Sequence, residues 1–174
     1  MRPYRYILSA ALSALCALGS VGPAFAAGTV YLANGGQNFT AYGPSSYWRY
    51  DLGLGYCGNA GSWCSPRHSQ WTYVNQTAGN VNWATWRNPA PVNYPEYASA
   101  FIPRRNATAT AKYTLRYNYG SYQSAYLDQL PYYDQWVRLN SGGLAMLDQV
   151  MLGDQSYWGS ASSKVAFDEI KIEN

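Results

Sequence analysis

The sequence has few charged side chains, one histidine and three cysteines. Charged residues make up 12% of the 174 residues, and the formal net charge is +3. No cluster of basic residues marks a surface for nucleic acid or an anionic membrane. The sequence contains neither an HExxH motif, a second histidine beside His68 nor four cysteines, so the common zinc sites are excluded.

Long apolar runs are absent except near the N-terminus. Arg2 and Arg5 precede an apolar run over residues 7–18, and Ala24-Phe25-Ala26 supplies small residues around a cleavage position. This order is typical of a secretory signal, and the run is too short to span a bilayer. We therefore expect residues 1–26 to be a signal peptide, residues 27–174 to form a single secreted, extracellular domain, and no membrane anchor to remain.

Removal of the signal changes the charge and the cysteine count. The remaining part has about ten basic and nine acidic residues, so it is nearly neutral. Cys16 leaves with the signal, and Cys57 and Cys64 remain. Because exported proteins meet an oxidising environment, we expect these two cysteines to form a disulfide. That environment also argues against a catalytic thiol formed by Cys64 and His68.

Short strands are the predicted structure of the remaining part. Gly, Pro and Asn recur at short intervals, and Ala111, Tyr113, Leu115 and Tyr117 alternate with polar residues as in a half-buried strand. Similar patterns predict further strands at 29–33, 46–50, 70–75, 80–87, 97–102, 122–129, 136–140, 149–152 and 164–172. Residues 144–152 also fit helical spacing. The fold class is therefore all-β, an antiparallel, jelly-roll-like β-sandwich.

Seven segments occur in an order and spacing found in one known family. They are residues 83–86 (WATW), 100–103 (AFIP), 107–113 (ATATAKY), 127–129 (LDQ), 135–139 (QWVRL), 150–154 (VMLGD) and 165–168 (VAFD). The chain thereby resembles the golvesin C-terminal-like domain, which is similar to the carbohydrate-binding domain of bacterial xanthan lyases. The resemblance is clearest over residues 80–172, and residues 53–67 depart from it.

The resemblance implies a β-sandwich of bacterial extracellular proteins with sugar binding as its expected role. It brings no set of ligand residues. Stacking of aromatic side chains on the apolar face of a sugar ring is the chemistry expected of such a domain. The candidate platforms are the aromatic residues in predicted loops: Trp63, Tyr94, Tyr97, Tyr132, Tyr133 and Trp158. By contrast, the strand pattern assigns a second group to the core: Trp83, Trp86, Phe101, Trp136 and Phe167.

Catalysis and cofactors receive little support from the sequence. Glycoside hydrolysis needs two converging carboxylates, and the spacing of the nine acids indicates no such pair. No catalytic residue and no cofactor is predicted, while a structural calcium ion stays open because it needs only oxygen ligands. The leading interpretation is a secreted, non-catalytic module that binds polysaccharide or cell-wall glycan. The alternatives are a secreted protein-interaction module, such as an inhibitor or assembly subunit, and a small hydrolase.

Overall fold

A computed structural model describes residues 28–52, 54–56, 68–141, 143–156 and 158–174. Thirteen strands are described in this part of the chain. Their bounds are β1 Thr29–Leu32, β2 Phe39–Tyr42, β3 Arg49–Leu52, β4 His68–Tyr73, β5 Trp83–Arg87, β6 Pro95–Ile102, β7 Thr110–Tyr117, β8 Ser121–Asp128, β9 Gln135–Arg138, β10 Leu144–Ala145, β11 Leu147–Gly153, β12 Lys164–Phe167 and β13 Ile170–Glu173. Short 3-10 turns span Ser45–Tyr47 and Asn118–Gly120.

The strands form three sheets in which every strand pair is antiparallel. One five-stranded sheet has the order β2-β5-β11-β7-β8, and we call it the front sheet. A second has the order β1-β13-β6, with β9 and β10 following each other along the free edge of β6. The third has the order β12-β4-β3. This arrangement confirms the predicted all-β, antiparallel sandwich.

The core lies behind the front sheet and is built by residues that alternate along its strands. In β7, Ala111, Tyr113, Leu115 and Tyr117 are all buried, as their alternation predicted. Trp86 of β5 and Phe167 of β12 are fully buried in the same cluster. In each strand of the front sheet, the residues that alternate with the buried ones therefore point to the outer face.

Gln129 joins the front sheet to the three-stranded sheet inside this core. Its Nε2 donates to Tyr113 Oη at 3.0 Å and to the Ala166 carbonyl at 3.0 Å, and its Oε1 accepts from the Ala166 N–H at 3.0 Å. A fully buried amide is stable only when its polar atoms are bonded in this way. Gln129 thus fixes the position of β12 relative to β7.

The structure differs from the predicted strands at several turns. The strand predicted at 46–50 is a 3-10 turn followed by β3, and β2 was not predicted at all. The ambiguous residues 144–152 form two strands separated by Met146, whose φ is 64°. The strand predicted at 164–172 is likewise divided, at Asp168 and Glu169. In the part of the chain that is described, no helix has the length and apolarity to cross a bilayer.

Candidate functional site

One row of residues crosses the strands on the outer face of the front sheet and has an aromatic residue at each end. In this row Tyr42 pairs with Trp83, Trp83 with Gly153, and Lys112 with Tyr126. The two halves meet where Leu152, next to Gly153, pairs with Tyr113, next to Lys112. Since neighbouring strands are about 4.8 Å apart, the backbones of Trp83 and Tyr126 are separated by about 14 Å. We call this row, together with the neighbouring residues Asn80, Thr114, Gln155 and Trp158, the sheet-face site.

On one side of the site, Trp83 and Tyr42 form a stacked pair. Their ring centroids are 3.8 Å apart and their planes differ by 9°. The pairing follows from the register, because residues opposite each other on adjacent strands place their side chains on the same face. Tyr42 is 39% exposed, and Trp83 is half-buried.

On the other side, Tyr126 and Trp158 meet edge to face. Their ring centroids are 5.1 Å apart and their planes differ by 88°. Both rings are exposed, at 56% and 52% respectively. Lys112 Nζ lies 5.9 Å from the centre of the Tyr126 ring. Trp158 comes from the loop after β11, so this loop completes a site that the sheet begins.

Between the two aromatic pairs lies a depression of about 160 Å³. The polar residues Asn80, Lys112, Thr114 and Gln155 line it together with Trp83. The Asn80 side chain packs directly on the backbone of Gly153, where a Cβ would overlap it. Asn80 Oδ1 accepts the backbone N–H of Gln155 at 3.0 Å. The depression thus combines an aromatic wall with hydrogen-bonding groups.

Asp154 holds the wall of this depression in place. Its two carboxylate oxygens accept the backbone N–H groups of Val81 and Asn82, at 2.9 and 2.8 Å. Burial raises the pKa of Asp154, while these backbone hydrogen bonds favour the ionised form. A carboxylate satisfied by backbone donors is a structural group, and it stabilises the segment that carries Asn80.

The predicted platform residues lie at different places on the molecule. Trp158 is part of the sheet-face site. Tyr94 precedes β6 and Tyr133 precedes β9, whose first residue pairs with the last residue of β6. These two tyrosines therefore lie near opposite ends of β6. Trp63, Cys57 and Cys64 lie outside the described residues.

Two further predicted platforms are packed against other residues. The Arg138 guanidinium lies over the half-buried Tyr97 ring, 4.3 Å from its centre. Tyr132 packs against the core. Tyr133 by contrast is 62% exposed. Of the predicted platforms that lie in the described residues, only Trp158 thus contributes to the sheet-face site.

The prediction that Trp83 and Trp136 belong to the core is wrong. Both are half-buried, and Trp136 packs with Tyr31, Tyr56 and Phe101 outside the main core cluster. Trp83 and Trp86 are three residues apart in β5, so alternation places them on opposite faces. The spacing of three positions in the sequence therefore already indicates that either Trp83 or Trp86 points outward. Tyr126 was not predicted as a platform because it lies within a predicted strand, and the platform prediction covers only aromatic residues in loops.

The acidic side chains are engaged in structural contacts and do not converge on the depression. Arg104 pairs with Asp134, and Arg116 with Asp148, both at 2.9 Å. Burial raises the pKa of Asp168 to about 7, and burial together with the Asp168 charge raises that of Glu169 to about 8. None of the described residues that line the depression is acidic. Among the described residues, no three His, Cys, Asp or Glu side chains are grouped to hold a metal ion.

Comparison with solved structures shows the fold. The structure resembles part of a Paenibacillus xanthan lyase with a TM-score of 0.58 and 13% identity, over 83% of this chain and 13% of the lyase chain. The chain therefore has the β-sandwich fold of that region. Because it spans about an eighth of the lyase chain, the activity of the whole lyase does not transfer to it.

Two carbohydrate-binding modules resemble the chain more distantly. A family 35 module from Cellvibrio japonicus has a TM-score of 0.46 and 14% identity, over 83% of this chain and 92% of that one. A family 32 module of C. perfringens NanJ, in complex with galactose, has a TM-score of 0.43 and 10% identity, over 83% and 100%. No family model and no curated protein matches the sequence. The golvesin-like assignment therefore stays a prediction from the seven segments.

Proposed function

We propose that this chain is a secreted, non-catalytic module that binds extracellular polysaccharide or cell-wall glycan at the sheet-face site. The observation that carries the proposal is the depression between the Tyr42–Trp83 stack and the Tyr126–Trp158 pair. Sugar rings present apolar faces that stack on aromatic side chains, and their hydroxyl groups need hydrogen-bonding partners. Lys112 brings an ammonium donor to the depression. Asn80 and Gln155 add polar side chains to its lining, although Asn80 Oδ1 already accepts from the Gln155 N–H and Gln155 Nε2 donates to the Thr77 carbonyl.

The proposal also agrees with the lining and with the fold. A depression without an acidic side chain among its described residues suits binding more than glycoside hydrolysis, which needs a pair of carboxylates. The region of similar fold belongs to an enzyme named for its action on xanthan, a polysaccharide. The row is also long enough for more than one sugar ring, since it extends about 14 Å between the two aromatic pairs.

Retention on polysaccharides tests the proposal. We would incubate the protein without residues 1–26 with xanthan, cellulose, xylan and peptidoglycan sacculi, and measure the fraction depleted from solution. Trp83→Ala and Trp158→Ala should each weaken retention about two- to tenfold, the factor that one aromatic contact contributes. Tyr133→Ala is the matched control, because Tyr133 is 62% exposed and lies outside the site. It should bind like the wild type.

Two results would count against the proposal. One is no retention on any of the four polymers by a protein that melts cooperatively. The other is equal retention by the wild type, Trp83→Ala and Trp158→Ala. If the protein instead co-purifies with a secreted enzyme and binds no polymer, the protein-interaction alternative takes its place.

Secretion is tested separately. The full chain would be expressed in a bacterial host, and its mass would be measured in the culture medium. We expect a product that begins at Ala27, with a mass two hydrogens lower than that of the reduced chain, because Cys57 and Cys64 form a disulfide after export. A product that stays inside the cell with its N-terminus intact would contradict this part of the proposal.

A further inference from the structure

A second cavity with aromatic walls lies beside the three-stranded sheet. Its volume is about 320 Å³, and Tyr47, Arg49, Tyr73, Asn75 and Val81 contribute to its lining. We call it the edge groove. Tyr47 is 56% exposed and Tyr73 is 50% exposed, so both rings are accessible to a ligand. None of these residues belongs to the sheet-face site.

The first wall of the edge groove is built by the 3-10 turn before β3. Trp48 ends this turn and is buried against Phe167, with ring centroids 4.8 Å apart. Its indole Nε1 donates to the Tyr42 carbonyl at 3.2 Å. Because Trp48 is anchored in the core, the preceding Tyr47 is directed outward from a fixed backbone. The exposed ring is therefore carried by a rigid element.

Tyr73 forms the second wall at the end of β4. Its ring meets Trp71 edge to face at 5.3 Å, and Lys164 Nζ lies 5.9 Å from its centre and 4.5 Å from that of Trp71. Lys164 is itself fixed, since Nζ donates to Asn106 Oδ1 at 2.7 Å. These contacts support Tyr73 from behind while half of its surface stays exposed.

Arg49 supplies hydrogen-bond donors to the groove. Its Nη1 donates to the Ser46 carbonyl at 3.0 Å, which holds the guanidinium near the turn. A guanidinium carries five N–H donors, so others stay available to a ligand. Asn75, in contrast, uses its side chain locally, because Nδ2 donates to the Gly79 carbonyl and Oδ1 accepts from Thr77. Arg49 is thus the polar group best placed to bind a ligand.

The edge groove and the sheet-face depression lie on opposite sides of one wall. Asn80 lines the depression and the next residue, Val81, lines the groove. On the facing segment, Gly153 and Gln155 line the depression, whereas Asp154 lines the groove. The hydrogen bonds from Val81 and Asn82 to Asp154 hold the two segments together. The two cavities are therefore adjacent and rigidly related.

We propose that the edge groove is a second sugar-binding site, with Tyr47 and Tyr73 as stacking surfaces and Arg49 as a donor to sugar hydroxyl groups. This inference rests on the proposed function, because it assigns the same class of ligand to a second place. Two adjacent sites on one rigid module raise retention on a polymer by making the second binding event intramolecular. The module would then hold an extended glycan at two points.

The test uses the depletion assay on xanthan, cellulose, xylan and peptidoglycan sacculi with single and combined variants. Tyr73→Ala and Arg49→Gln should each weaken retention about two- to tenfold. The combination of Tyr73→Ala with Trp83→Ala should weaken it further than either change alone. Tyr133→Ala again serves as the control. Melting temperatures identify any variant that fails to fold, and Tyr47→Ala, on the opposite wall, then replaces it.

The outcomes separate this inference from the proposed function. If Trp83→Ala weakens retention while Tyr73→Ala, Tyr47→Ala and Arg49→Gln all bind like Tyr133→Ala, the second site is wrong and the first stands. If the groove variants weaken retention and Trp83→Ala does not, the groove is a sugar site and the sheet-face site is wrong. Absence of retention on all four polymers by the folded wild type overturns both.

Discussion

Trp83 lies flat against Tyr42, with ring centroids 3.8 Å apart and planes 9° from parallel. The stack crosses from β5 to the edge strand β2, so one face of the indole is covered by a neighbouring strand. The orientation of Trp83 therefore depends on Tyr42. Trp83 is only half-buried, so packing in the main core does not fix the orientation of its ring.

Tyr42→Ala should accordingly reduce glycan binding without unfolding the protein. Loss of the stack frees the Trp83 ring, and we expect affinity to fall about two- to tenfold, as for one aromatic contact. The measurement is a titration followed by tryptophan fluorescence, with the melting temperature recorded for each variant. Tyr122→Ala is the control, because Tyr122 is 62% exposed and lies in β8 of the same sheet. Equal affinity in both variants would show that the stack has no part in binding.

Gly153→Ala should destabilise the fold and alter the depression. The new Cβ would overlap Asn80 Oδ1, so the Asn80 side chain has to move. Overpacking of this kind costs about 1 to 3 kcal/mol of unfolding free energy, measurable by urea denaturation. Adding Asn80→Ala removes the clash, and the double variant should lose less stability than the sum of the two single changes. Strict additivity would show that the two residues do not interact.

Asp154→Ala should cost more stability than removal of an exposed acid. Two backbone N–H groups, of Val81 and Asn82, would lose their acceptor, one of them in a buried position. We expect a loss of about 1 to 3 kcal/mol in the free energy of unfolding. The control is Asp134→Asn, which removes the charge of an exposed ion pair with Arg104 that contributes less than about 1 kcal/mol, while asparagine tolerates the positive φ at this position. Similar losses in the two variants would contradict the assigned role of Asp154.

The stability of the protein should fall as the pH rises from 6 to 9. Burial raises the pKa of Asp168 to about 7, and burial with the Asp168 charge raises that of Glu169 to about 8. Folding thus favours the protonated carboxyls. Their contribution is complete below the ordinary carboxyl pKa of about 4 and is lost as the pH rises through 7 to 8.

Urea denaturation across this range, with two substitutions, measures the effect. Asp168→Asn should flatten the fall, because the asparagine side chain does not titrate and stays neutral over the whole pH range. Asp148→Asn should leave the fall unchanged, since Asp148 pairs with Arg116 on the front sheet and its charge does not act on Asp168 or Glu169. A free energy of unfolding that stays constant or rises between pH 6 and 9 in the wild type would refute the assignment.

Local patterns in the sequence were sufficient for the fold class and for much of the core. Alternation in residues 111–117 predicted β7 and its buried face, and turn residues separated most of the other strands correctly. The short strand β2 was missed, because four residues carry too little periodicity to be recognised without a partner. The division around Met146 was not predicted either. Met146 has a positive φ and separates β10 from β11, which pair with different strands, and no local pattern reveals that pairing.

The sites were decided by tertiary structure. Alternation alone separates Trp83 from Trp86, but it does not tell which of the two faces meets the core. Trp158 was predicted as a platform, yet its partner Tyr126 lies 32 positions earlier in the chain, and Tyr42 lies 41 positions before Trp83. Such pairs form through strand register and loop packing. These depend on long-range contacts, which no local pattern in the sequence encodes.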